Sequence, residues 1–396
     1  MEHCFGGRKK VEFDKSVLVL THSDYVHTDA GVEKVIQGHQ KLFLENGYNF
    51  IAVYPVRKDM QIFGLTHSHT MSDYGLIING QDHGTINQEA FMELLSVKGL
   101  QAVIIHELVT FKKNEKLFIF FDNIKCPIYY FVHDYAMLCY NHVLMRNNKE
   151  FCGAEPISFK KCKNCRFYLE GKVNEKWQRK FVERYPQIVY LFPSAVVRDI
   201  WQNHFQANNE LRIVPNTKFG TDTKSYPEST KHDKLKIAFI GYGRVEKGWV
   251  VWKKLCEKYD QTYGLYILGD GECPGAVKKY PVSVAKDGPN AMVDTIRKHE
   301  IDVAFLWSLV PETYAYTFFE AYVNGCYVIT NPKSGNICYM TEQTGCGKVF
   351  ETEEDLWTFL DHEDEVRRSV QKMYTEKETY PVSIENNDEI LKIVRG

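Results

Sequence analysis

Short, unbroken apolar runs alternate with stretches whose apolar residues recur every three to four positions, and the alternation starts afresh midway along the chain. Residues 16–21 are apolar and β-branched without a period of two, as in a strand buried on both faces. Residues 31–46 carry helical spacing through Val32, Val35, Ile36, Leu42 and Phe43, and Gly47 follows as a C-cap. Runs at 50–54, 102–106, 128–132 and 188–192 read as further strands. The second series predicts strands at 235–240, 265–268 and 303–306, with helices at 249–259 and 291–299. Strands separated by helices imply a doubly wound parallel sheet, so two series imply two sheets. Residues 217–234 are polar, with Gly, Ser, Pro and charges, and read as a linker. The expected division is 1–216, linker 217–234, 235–379, and a terminal helix at 380–396. Ligands of such sheets lie beyond the carboxyl ends of the strands, here in a cleft between the halves.

Bulk composition narrows the function classes. At 396 residues with a net charge of −2, the chain is long enough for two domains and has no global bias toward nucleic acid. The polar start and the lack of an apolar run of about 20 residues suit a cytoplasmic protein. Eleven cysteines, an odd number spread over both halves, suit reduced thiols.

The richest stretch is Pro311-Glu312-Thr313-Tyr314-Ala315-Tyr316-Thr317-Phe318-Phe319-Glu320-Ala321. Proline suits a first helical turn, so a helix is expected from about Thr313. Glu312 then sits at a mouth that favours anions, with Glu320 about two turns further on. Gly325 and an apolar run to Thr330 follow, then Lys333-Ser334-Gly335-Asn336, small residues that let amides approach a phosphate. Upstream, Gly241-Tyr242-Gly243-Arg244-Val245-Glu246-Lys247-Gly248 joins a strand to a helix and offers cations to a diphosphate.

Residues 310–335 resemble the donor signature of retaining, GT-B-fold glycosyltransferases of the family-four kind, the glycogen-synthase-like and polysaccharide-building group. That resemblance implies two Rossmann-like domains facing each other across a central cleft, with the terminal helix crossing back to the first domain. It implies that Glu320 binds the nucleotide ribose, that Glu312 and His133 position the sugar, and that Lys247, with Arg244, stabilises the leaving diphosphate. The Arg–Lys spacing is shorter than usual in the family, and one of two usual glycines is missing near Ser334 and Gly335. Gly31, opening the first helix, resembles the family's glycine loop, and His133-Asp134 matches its position after a strand.

Cys139, Cys152, Cys162 and Cys165 include the two-residue gap of a zinc knuckle, so a structural zinc is a candidate beside scattered thiols. Between Lys149 and Arg184 ten basic side chains face five acidic ones, interleaved with Phe167, Tyr168, Trp177 and Phe181. Such a stretch suits the inner face of an anionic membrane or a lipid-diphosphate acceptor, and a solvated helix face is the plain alternative. The expected activity is a metal-independent, hexosyltransferase-type enzyme moving sugar from a nucleotide sugar to a glycan or lipid-linked acceptor, in surface polysaccharide synthesis. The alternatives are a GT-B epimerase or phosphorylase, or a sugar-nucleotide-binding scaffold without turnover. A nucleic-acid module built on the cysteines ranks last.

Overall fold

The computed structural model describes residues 14–28, 31–62, 65–222, 233–272, 275, 277–375 and 380–396. The first half is an eight-stranded sheet. Its spatial order is Leu211–Ile213, Val189–Phe192, Ile128–Phe131, Leu100–Ile105, Ser16–Leu20, Asn49–Ile62, Leu65–Ile78, Gln81–Ile86. The first six strands run parallel and the last two add antiparallel hairpins. Apolar cores cover both faces, which is why the central strands read as unbroken runs rather than alternations.

The second half is a six-stranded, fully parallel sheet ordered Lys278–Tyr280, Gly264–Asp270, Lys236–Tyr242, Val303–Phe305, Tyr327–Thr330, Gly347–Val349. In both sheets the strand order reverses beside the first strand of the series. The first reversal lies between Ser16–Leu20 and Leu100–Ile105, the second between Lys236–Tyr242 and Val303–Phe305. Ligand crevices form at such points, and the residues just past these strands are His22, His106, Arg244 and Trp307.

Two boundaries differ from the sequence-based expectation. Thr217–Asp222, inside the expected linker, is a strand paired antiparallel with Tyr380–Asn386, inside the expected terminal helix. Phe219 gives this ribbon an anchor, lying 5.2 Å from the Phe319 ring and 5.3 Å from that of Tyr322. Residues 223–232 of the linker lie outside the described residues. The terminal helix is Glu389–Arg395, and its Ile390, Leu391 and Ile393 enter the core of the first domain. Burial of each such side chain stabilises by about 1.5–3 kcal/mol, so the helix ties the end of the chain to the opposite half.

Candidate functional site

Gly248 and Gly335 set the backbone of the second domain's wall. Gly248 has φ of 83°, and a Cβ there would lie 2.1 Å from the Trp307 carbonyl oxygen. Gly335 has φ of 62°, and a Cβ would meet the Glu312 nitrogen at 2.6 Å. Both positions therefore require glycine, for conformation and for space. They draw the loop after Lys236–Tyr242 against Trp307, and the loop after Tyr327–Thr330 against Glu312, with which Gly335 forms a parallel bridge.

On that frame Lys247 donates to both Glu312 oxygens, at 2.7 and 2.8 Å, and the Ser308 hydroxyl donates to Oε1 at 2.9 Å. Arg244 is 66 % exposed on its side chain, and its guanidinium reaches Glu246 at 3.9 Å. One strand–helix loop thus presents two cations, one held by a carboxylate and the other open to solvent. Ser334 is fully buried, and its hydroxyl donates to the Ser308 carbonyl at 3.1 Å, holding the loop in place.

The helix after Glu312 begins at Tyr316, later than expected. Contacts with the first domain explain the delay. The Tyr135 hydroxyl donates to the Pro311 carbonyl at 2.9 Å, the Ser194 hydroxyl to the Thr313 carbonyl at 2.9 Å, and the Thr313 hydroxyl to the His133 carbonyl at 2.6 Å. With these groups engaged across the cleft, residues 311–315 remain extended. Ser194, at the N-cap position of the helix Ala195–Phe205, makes no side-chain capping bond, its hydroxyl serving this junction instead. Glu320 therefore lies about one turn into Tyr316–Tyr322. Its carboxylate is buried and meets Lys34 Nζ from the first domain at 3.4 Å. Burial pushes its pKa up, and the charge and hydrogen bond of Lys34 oppose that shift. Lys34 also lies 4.6 Å from the Tyr316 ring centre.

The first domain contributes a buried row of imidazoles. His133 Nε2 lies 2.8 Å from His106 Nδ1, and His106 Nε2 lies 3.3 Å from His39 Nδ1. Burial depresses all three pKa values, His39 and His133 to about 3, so the row is neutral. Beside it are two acids, the buried Glu107 and the half-buried Asp134, both pushed up by desolvation. Glu107 accepts from the Leu108 and Val109 amides at 2.8 and 3.1 Å, and Asp134 from the Ala136 amide at 2.7 Å. His22 closes the group, 3.2 Å from the buried Glu33, which also accepts from Ser23 at 2.6 Å. Burial lowers the His22 pKa, but the Glu33 hydrogen bond and the charges of Glu33, Glu107 and Asp134 carry it upward overall.

Of the residues singled out in the sequence, Glu312 and Lys247 pair directly, Arg244 shares the Lys247 loop, and Ser334 and Gly335 fix the same wall. His133 joins them through its carbonyl and Thr313. Gly31 opens the helix Gly31–Glu45, which carries Glu33, Lys34 and His39, while its neighbours Asp29 and Ala30 lie outside the described residues. Sequence reasoning passed over His22, Glu33, Lys34, His39, His106 and Glu107. For His22, His106 and Glu107 a signal exists, since each follows a buried strand as His133 does.

The zinc expectation fails. Cys139, Cys152, Cys162 and Cys165 line one cavity, but among the described residues no three His, Cys, Asp or Glu side chains are grouped to hold a metal. Leu138, Leu144, Met145 and Ile157 share the lining, and burial pushes the Cys139 thiol up to about 11.

No family model and no curated protein matches this chain. Solved structures do. A sucrose-phosphate synthase from Thermosynechococcus elongatus aligns at 10 % identity over 91 % of this chain and 95 % of its own, with a TM-score of 0.54. TarM aligns at 11 % identity over 96 % and 97 %, TM-score 0.52. Anabaena HepE, solved in complex with UDP-glucose, aligns at 11 % over 91 % and 93 %, TM-score 0.52. The chain has the GT-B fold. Its two domains align with those structures over almost their whole lengths.

Proposed function

We propose that this protein is a retaining, metal-independent glycosyltransferase that moves a sugar from a nucleotide-sugar donor to a hydroxyl of a glycan or lipid-linked acceptor in building a surface polysaccharide. The observation that carries the proposal is the convergence at the second domain's strand reversal of Lys247, Arg244 and Glu312, with the buried Glu320 facing Lys34 across the cleft. A diphosphate leaving group gathers negative charge as its bond to the sugar breaks, and the two side-chain cations supply the compensating charge. Glu320, buried and bonded to a single flexible lysine at 3.4 Å, retains acceptor capacity for the two hydroxyls of a ribose. Glu312, held by Lys247 and Ser308, is the carboxylate beside the sugar, and the His133 strand end closes the pocket from the other domain. UDP-glucose in HepE and UDP in an alpha-glucosyltransferase (TM-score 0.50) favour nucleotide sugars as the donor class. Retention follows from the resemblance of residues 310–335 to retaining enzymes, with the departing diphosphate taking the acceptor proton.

The test is a panel of nucleotide sugars with lipid-linked and free glycan acceptors in the presence of a chelator, reading nucleoside diphosphate release and the anomeric configuration of the product by NMR. The expected result is release unaffected by chelation and a product that keeps the donor's configuration. An inverted product or loss of activity in chelator would contradict retention or metal independence. Binding of a donor without release would favour the non-catalytic scaffold.

A further inference from the structure

The helix Tyr168–Arg184 is inverted relative to the usual arrangement of apolar and polar faces. Its inner side is largely polar: Gly171, Asn174, Glu175 and Gln178 are buried with Phe181 and Val182. On a 3.6-residue period Leu169, Val173, Lys176 and Lys180 fall on the opposite face. Leu169 is 71 % and Val173 72 % exposed, so two branched apolar side chains one turn apart project into solvent. Phe159, 67 % exposed, lies beside this end of the helix, its ring 6.2 Å from that of Tyr168. Lys160, Lys163 and Arg166 are near Phe159 and the helix start in sequence, Lys172 and Lys176 lie close to Val173 along the helix, and all five are exposed, while Glu170 and Glu183 are the exposed acids of the helix.

Exposed apolar tips with exposed cations near them along the chain fit a surface that is apolar beneath an anionic layer. We infer that this face docks the protein onto an anionic lipid bilayer, with Phe159, Leu169 and Val173 entering the headgroup boundary and the basic side chains meeting lipid phosphates. A soluble polyanion would explain the lysines but leave the three apolar side chains in water. The polar inner face also has a role. The Asn174 amide donates to the Ala136 carbonyl at 2.7 Å, and Gly171 leaves room for Cys139, where a Cβ would come within 3.2 Å of Sγ. The helix is thereby fastened to the loop that follows His133-Asp134 at the cleft. The inference rests on the outer face alone and stands independently of the proposed activity.

The test is sedimentation of the full chain with phosphatidylcholine vesicles, with and without phosphatidylglycerol, and with heparin as a soluble polyanion. The expected result is binding to the anionic vesicles only. Replacing Lys172 and Lys176 by Gln should weaken that binding roughly 25-fold, given about a fivefold effect per basic residue near such a surface. Leu169→Ser with Val173→Ser should weaken it about tenfold, since affinity follows the apolar area inserted. All four positions are exposed, so both variants are expected to melt as the wild type does. Wild type left in the supernatant with anionic vesicles would overturn the inference, as would unchanged binding in the charge variant. Unchanged binding of the serine variant together with capture by heparin would assign the face to a polyanion instead.

Discussion

Lys247→Met is expected to lower kcat by about 10²–10³-fold, the range for removing one pre-placed stabiliser of developing negative charge. Lys247 is held within 2.8 Å of both Glu312 oxygens, so its position is set before a donor arrives and little reorganisation is needed during transfer. Arg244→Met should lose less, because that guanidinium is 66 % exposed and water already screens it. The fold should scarcely register either change. Lys247 is 44 % exposed, and ion pairs so open to solvent contribute about 0–1 kcal/mol. A steady-state kcat measured beside a melting curve separates the two effects. A comparable loss in melting temperature, or an unchanged kcat, would place Lys247 outside the chemistry.

His39→Leu is expected to flatten the acid limb of the stability profile, while Glu107→Gln should steepen it. The folded-state pKa of His39 is about 3 against 6.5 when unfolded. Its contribution is therefore fully present above 6.5 and is lost as pH falls toward 3, because the unfolded chain takes up a proton that the folded chain refuses. Each such proton changes stability by about 1.4 kcal/mol per pH unit. Glu107 acts in the opposite sense. Its folded pKa is raised, so its contribution is present below the ordinary carboxylate value of 4.5 and is lost as pH rises. From pH 6.5 to 4.5, His39→Leu should gain roughly 2 kcal/mol relative to wild type, and Glu107→Gln should lose stability relative to it. Urea unfolding at the two pH values reads both. Profiles parallel to wild type would mean that these groups titrate as they do in water.

The periodic parts of this fold were legible in the sequence because their burial is simple. The helices Trp249–Tyr259 and Ala291–His299 have the predicted boundaries, and the central strands stand out because both faces are covered. The ribbon of Thr217–Asp222 with Tyr380–Asn386 escaped notice because Thr-Lys-Phe-Gly-Thr-Asp has one apolar anchor and a partner over 150 positions away. Beyond the strand read at 50–54, the edge hairpins at 55–86 were likewise illegible, their outer segments being too polar to show a core-facing period. Within the site, Glu312, Glu320 and Lys247 were legible through the resemblance of residues 310–335 and of the loop at 241–248 to a known donor site, the glutamate spacing being weak by itself. Lys34 could not be found that way, because its bond to Glu320 spans 286 positions and exists only once the two domains meet. The four cysteines illustrate the converse. Their spacing brings them to one cavity with apolar neighbours, but among the described residues it does not group them to hold a metal.

The central claim is a nucleotide-sugar donor site built around Glu320, and thermal unfolding with UDP-, GDP-, ADP- and dTDP-sugars tests it most directly. At about a hundred times its dissociation constant, a bound donor stabilises the fold by about 2.7 kcal/mol. The predicted result is stabilisation of the wild type by one nucleotide class and its loss in a Glu320→Ala variant that still melts cooperatively. A cooperatively melting wild type that no nucleotide sugar shifts, or a shift that survives Glu320→Ala undiminished, would contradict it.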